Sequence, residues 1–160
     1  MLTAILNDDL AAIGKLNTRL DRLAEAIATP AADDDCVWAA AMALHHLYNA
    51  IEHMFEKIVR AFGEPIPGQA RWHQELLAVM LVPTDEARPA VIAPELRSTL
   101  QQLLSFRHFV RHSYDAAVNP QHVLRITELW QKDRSEFVQG LERLKEFAWN
   151  QGGPPGSPHA

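Results

Sequence analysis

Apolar residues recur at helical spacing along most of the chain, and this pattern predicts an all-α protein. The first stretch, residues 2–28, has leucine or isoleucine at nearly every third or fourth position and stops at Thr29-Pro30. A second stretch begins at about Cys36, after three aspartates that suit a helix N-terminus, and is ended by Gly63. Both stretches are expected to form long amphipathic helices.

Three more helices are predicted in the second half of the chain. Residues 71–81 form a short one, and the proline-containing connector to Pro94, which has no periodicity, is expected to be an ordered surface loop. Residues 94–114 form the next helix. Asn119-Pro120, a capping residue followed by a proline at the first helical position, starts the last one, which is predicted to run to about Phe147.

The resulting fold is an antiparallel helical bundle with short loops, because no strand pattern occurs and the turns between the helices are brief. Residues 1–148 are predicted to form one domain, a size that allows a single hydrophobic core. Residues 149–160 are rich in glycine and proline and cannot bury apolar area, so we expect a disordered tail there.

Composition narrows the class of protein. The lone Cys36 cannot form an internal disulfide and offers no thiol pair for zinc, which fits a reducing compartment. No apolar run approaches the ~18 residues of a membrane span, and Asp8 and Asp9 stand where a signal peptide would be basic. We therefore expect a cytoplasmic protein.

The charge distribution is uneven. The net charge of −5 argues against a general nucleic-acid binder, since phosphate contacts need clustered cations. Residues 1–35 carry seven acids and three bases, a net −4, whereas residues 95–125 carry four arginines and two acids, a net +2. A local anion site in the second region is compatible with an acidic protein.

The predicted helix 94–114 has polar residues within its apolar face. On a helical wheel, Arg107, Arg111 and Tyr114 fall in the same arc as leucines that should face the core. A buried guanidinium needs a carboxylate, a ligand, solvent or a second subunit, so a functional site is one explanation. The alternative is that these long side chains extend to solvent from the end of the helix.

Arg107 and His112 are residue types that can cleave a phosphodiester without metal. Histidine can move the proton of a ribose 2′-hydroxyl, and arginine can stabilise the charge on the phosphorane. The negative helix C-terminus favours a protonated His112. An ideal helix places the two about 140° apart, so either the helix is distorted or a second subunit completes the site. Because both lie near a helix end, we expect Ala replacements to leave the fold intact.

A second cluster of polar residues comprises His45, His46, Glu52, His53 and His73. Several of them share a helix face at a spacing of seven, which is how helical bundles collect metal ligands. The Glu-x-x-His pairs of di-iron bundles are absent, however, and histidines on outer helix faces are usually solvated. Glu52 either orients a motif arginine from a neighbouring helix or forms a surface pair.

With Arg107-x4-His112-x-Tyr114 near the end of its penultimate helix, the chain resembles the HEPN superfamily and, within it, the HepT-like toxins. Further segments support this resemblance over roughly residues 38–130: Leu47 to Glu52, Trp72 to Leu77, and the turn from Tyr114 to Val123. The resemblance implies a four-helix core with a short extra helix. It also implies a metal-independent endoribonuclease toxin that acts as a homodimer with one composite cleft.

The same resemblance implies a partner, a minimal nucleotidyltransferase antitoxin that adds AMP to Tyr114. Arg107 and His112 would then be catalytic, with His108 and Arg111 as auxiliary groups; His108 stands where the family often has Asn. A second interpretation is a non-catalytic helical partner that binds and positions the nucleotidyltransferase. A third is a histidine-lined metal bundle.

Overall fold

The computed structural model describes residues 2–66, 68, 71–84, 87–112 and 117–152. Over these ranges the chain forms five α-helices, which confirms the predicted all-α bundle. They are α1 (Leu2–Ile27), α2 (Asp34–Ala61), α3 (Trp72–Met80), α4 (Arg97–His112) and α5 (Pro120–Gly152), and a 3₁₀ turn, Pro94–Leu96, leads into α4.

Helix α2 begins and ends as its sequence predicts. The Asp33 side chain accepts a hydrogen bond of 2.7 Å from the Cys36 backbone N–H, which satisfies one of the free donors of the first turn. Asp34 and Asp35 add negative charge at the positive end of the helix. At the other end Gly63 has φ of 68°, a left-handed conformation that favours glycine.

The centre of the bundle is α2, which packs against all four other α-helices. Its inner face buries residues over its whole length, from Val37 to Val59, and includes Tyr48 and Phe55. Helices α1 and α5 cover one side with leucine, isoleucine and aromatic residues, and α3 and α4 cover another. Each such side chain contributes roughly 1.5–3 kcal/mol when fully buried, so the bundle is held mainly by apolar packing around α2.

The connector between α3 and α4 is only in part the surface loop that we predicted: Val82, Pro83 and Ala90 are exposed, but other residues of it are buried. Val91 and Ile92 are both 1% exposed, and their backbone N–H groups donate to the Met80 carbonyl at 2.9 and 3.0 Å. The connector also touches α5, where a Cβ on Gly140 would lie 2.3 Å from the Val91 carbonyl oxygen. Isolated buried residues of this kind produce no periodic pattern, so they cannot be predicted from hydrophobic periodicity.

The last helix is longer than predicted. Residues 149–152, which we assigned to a disordered tail, continue α5 to Gly152, since each exposed residue extends the existing helix by one backbone hydrogen bond. The rest of that tail, residues 153–160, lies outside the described residues, and so does the segment 113–116 that contains Tyr114. None of the described helices is long and apolar enough to cross a membrane.

Candidate active site

Arg107 lies on the inner face of α4, as predicted, and is 9% exposed. Its Nη1 atom donates to Glu52 Oε2 on α2 at 3.3 Å. Glu52 is 2% exposed, so the motif arginine and the carboxylate form a buried ion pair. Glu52 therefore orients the motif arginine and does not form a surface pair.

His73 on α3 shares the same carboxylate oxygen. Its Nδ1 atom lies 2.6 Å from Glu52 Oε2 and 3.3 Å from Nη1 of Arg107. The short contact with a carboxylate places the ring proton on Nδ1, so His73 donates to Glu52 and cannot also accept from Arg107. Trp72 packs against the imidazole, with ring centroids 3.9 Å apart. Glu52 thereby fixes both a cation and an imidazole.

The guanidinium of Arg107 is not fully hydrogen-bonded. Its Nε atom is buried and has no partner among the described residues. An unpaired buried donor is unfavourable, so this N–H would be stabilised by an acceptor that reached it, and within the single chain the atom is closed to solvent. The burial also corrects our expectation that Ala is harmless here, since removing Arg107 takes one of the two partners from a buried carboxylate.

The other motif residues of α4 are exposed. Arg111 does not share the buried face of Arg107 as the wheel suggested; the last turn of α4 leaves room for this long side chain to reach solvent. His108 and His112 are exposed as well, and their rings lie 4.4 Å apart. Helix α4 is regular up to His112, so a distorted helix does not bring Arg107 and His112 together.

Two groups of α2 lie near this network. Asn49 donates to Nε2 of His45 at 3.1 Å, and Nδ1 of His45 is buried without a partner in the described part of the chain. Burial lowers the pKa of His45, and the charges of His46, Arg107 and Arg111 lower it further, whereas an interaction with the backbone of Arg107 raises it. Tyr48 is 1% exposed, and its burial, with the charge of Glu52, raises its pKa.

Beside the network, α3 and α4 form a surface cleft that our sequence analysis did not predict. One part, about 570 Å³, is lined by His73 and His108 together with Arg71, Gln74, Leu104 and Ser105. It adjoins a second part of about 500 Å³, which shares the last four of these residues and extends to Gln101 and Arg97. Nothing in the sequence marks Arg71 or Ser105, because they meet only when α3 packs beside α4.

The histidine cluster does not form a metal centre in the described part of the chain, where no group of three or more metal-ligating side chains lies together. His46 and His53 are exposed on α2. His73 instead binds Glu52, and His45 binds Asn49.

A comparison with protein families matches residues 39–148 to the family described as HepT-like protein. This range is 110 of 160 residues and includes Glu52, His73, Arg107 and His112. The chain belongs to the HepT-like family. Membership supports the HEPN superfamily and suggests a toxin-like ribonuclease. No curated protein and no solved structure matches the chain.

Proposed function

We propose that this HepT-like protein is a metal-independent endoribonuclease toxin in which Arg107 and His112 are catalytic. The observation that carries the proposal is the state of Arg107: the Glu52 carboxylate orients its guanidinium through a single contact, and its Nε has no partner among the described residues. A preorganised cation of this kind stabilises the charge that develops on a phosphorane. Family membership is consistent with this chemistry.

In the proposed reaction the ribose 2′-hydroxyl attacks the adjacent phosphorus while a histidine accepts its proton. A second histidine protonates the departing 5′-oxygen, so the P–O5′ bond breaks as the P–O2′ bond forms. The products are a 2′,3′-cyclic phosphate and a 5′-hydroxyl. We assign the acid role to His112 because it is an exposed imidazole in the last turn of α4.

The reaction needs more than one protomer. Within one chain Arg107 points inward and His112 outward, and α4 is regular between them. A homodimer with α4 near its twofold axis would bring the exposed His112 of each chain toward the other chain's motif. His108 and Arg111, both exposed on the same part of α4, would then line the shared cleft as auxiliary groups.

The primary test is cleavage of a fluorophore-labelled single-stranded RNA in the presence of EDTA. Wild type should produce fragments with 2′,3′-cyclic phosphate ends, and His112→Ala should reduce the rate at least a hundredfold, a loss typical of a missing acid or base. His53→Ala is the matched control, because it removes an exposed histidine from α2. No cleavage by wild type would reject the proposal and favour the non-catalytic partner.

Regulation by a nucleotidyltransferase antitoxin is also part of the proposal. Tyr114 follows α4 by two residues, so an AMP group on its hydroxyl would add a phosphodiester anion and an adenosine close to His112. Intact mass after co-expression with such an enzyme should show adenylate on wild type and none on Tyr114→Phe. RNA cleavage by Tyr114→Phe should continue in the presence of the antitoxin. Adenylate that persists on Tyr114→Phe would refute this assignment.

A further inference from the structure

The cleft between α3 and α4 lies on the same face of α4 as His112. Gln101, Ser105, His108 and His112 follow one another at spacings of four, three and four residues. At ~100° per residue these four positions fall within roughly 60° of one another. The first three line the cleft, and His112 extends their row by one turn to the helix end. The cleft therefore leads along α4 to the proposed catalytic histidine.

The charged groups of the cleft suit phosphate. Arg71 and Arg97 line it, both are exposed, and neither is paired with a carboxylate among the described residues. Exposed arginines elsewhere are of both kinds, since Arg143 forms an ion pair and Arg22 forms none among the described residues. Glu75 is the one acid that lines the cleft. The cleft can therefore bind an anion, although the protein as a whole has a net charge of −5.

The remaining polar groups suit nucleotide bases. Gln74 on α3 and Gln101 on α4 have amides that can both donate to and accept from base edges, and Ser105 adds a hydroxyl between them. The imidazoles of His73 and His108 offer flat surfaces for stacking at the end near His112. From Arg97 to His112 the face is roughly 22 Å long at ~1.5 Å per residue. A segment of several unpaired nucleotides fits this length.

We propose that the α3–α4 cleft binds the single-stranded RNA segment that flanks the scissile phosphate. Arg71 and Arg97 contact its phosphates, and the glutamines contact its bases. This inference rests on the proposed ribonuclease function and adds to it the site that holds the substrate. It selects unpaired RNA, because the glutamine amides and the imidazoles that line the cleft can contact base edges and base faces only where the bases are exposed.

The test compares steady-state cleavage of a labelled single-stranded RNA by wild type and by the Arg71→Glu/Arg97→Glu double variant. We expect KM to rise at least tenfold while kcat changes less than threefold. Binding of the same RNA is measured in the non-cleaving His112→Ala background over a range of salt concentrations. Loss of two phosphate contacts should reduce the slope of log K against log salt by about 1.4. Arg22→Glu, which reverses an exposed charge on α1, is the control.

The outcomes separate the two proposals. If wild type cleaves RNA but the double variant matches Arg22→Glu in KM and in salt slope, the cleft is not the substrate site and only this inference fails. If wild type neither cleaves nor binds RNA, the proposed function fails as well. A double variant that keeps its KM but no longer co-purifies with the antitoxin would overturn the inference and assign the cleft to that protein. Circular dichroism verifies that each variant is folded.

Discussion

Two buried arginines of this protein, Arg88 and Arg107, are held in very different ways. Arg88, in the connector between α3 and α4, is 2% exposed and binds both carboxylate oxygens of Glu64. It also donates to the backbone carbonyls of Val79, Val82 and Pro89. Arg107 has one contact of 3.3 Å with Glu52, and its Nε has no partner in the described chain.

The difference separates a structural arginine from the one that we propose as catalytic. The guanidinium of Arg88 uses all three of its nitrogens to fix the connector, which has an isolated backbone bridge between Thr84 and Arg88. Arg88 therefore has few free N–H donors for a ligand. Arg107 is oriented but keeps an unused donor, which is the condition in which a cation can receive charge during a reaction. A count of buried ion pairs would treat the two as equivalent.

The largest expected effect on stability belongs to Arg88→Ala. It leaves the Glu64 carboxylate and three backbone carbonyls without their partner, and such a loss costs about 3–5 kcal/mol. Arg107→Ala should reduce stability by less, about 1.5–3 kcal/mol, because His73 still binds Glu52. Urea denaturation measures both.

The two variants should rank in the opposite order when RNA cleavage is measured instead of stability. At a temperature where both variants are folded, Arg107→Ala should lose at least a hundredfold in RNA cleavage, whereas Arg88→Ala should stay within a few-fold of wild type. Equal losses of activity in Arg88→Ala and Arg107→Ala would show that the two arginines do not differ in role.

A smaller effect is expected from Glu52→Gln, which keeps the shape of the side chain and removes its charge. Arg107 and His73 then lose a charge-assisted bond, so we expect kcat to fall about tenfold with little change in KM. Glu64→Gln is the matched control at the other arginine and should affect stability alone. A tenfold loss of kcat in Glu64→Gln would show that the two networks are not separate.

The smallest effect concerns pH. Burial lowers the pKa of His45 in the folded protein below its ordinary value of 6.5, so the unfolded chain binds the proton more readily. Stability contributed by neutral His45 is therefore present above about pH 6.5 and is lost as the pH falls toward the folded-state pKa. Urea denaturation at about pH 7.5 and about pH 5.5 measures the free energy of unfolding at each pH. The loss of this free energy between the two pH values should be smaller for His45→Gln than for wild type. An equal loss in His45→Gln and wild type would show that His45 does not cause the pH dependence of stability.

The pattern of apolar and polar residues predicted much of the fold. Helix α2 has its bounds within two residues of prediction because aspartates cap one end and Gly63 ends the other. The same pattern placed Arg107 on the inner face of α4 and allowed Glu52 as its partner. These features are encoded locally or by one helical face, and a single sequence contains that information.

Other features were decided only when the helices packed. The wheel treated Arg107 and Arg111 alike, yet the first is buried by α2 and α3 while the second reaches solvent at the helix end. The burial of Val91 and Arg88 in an irregular connector has no periodic signature.

The cleft beside His112 exists because α3 lies along α4 and aligns Arg71 with Arg97, residues that the chain separates by 26 positions. Periodicity specifies which face of a helix is apolar, but it does not specify which helix covers that face or what remains open beside it. Those choices depend on side-chain shapes that fit together only in three dimensions.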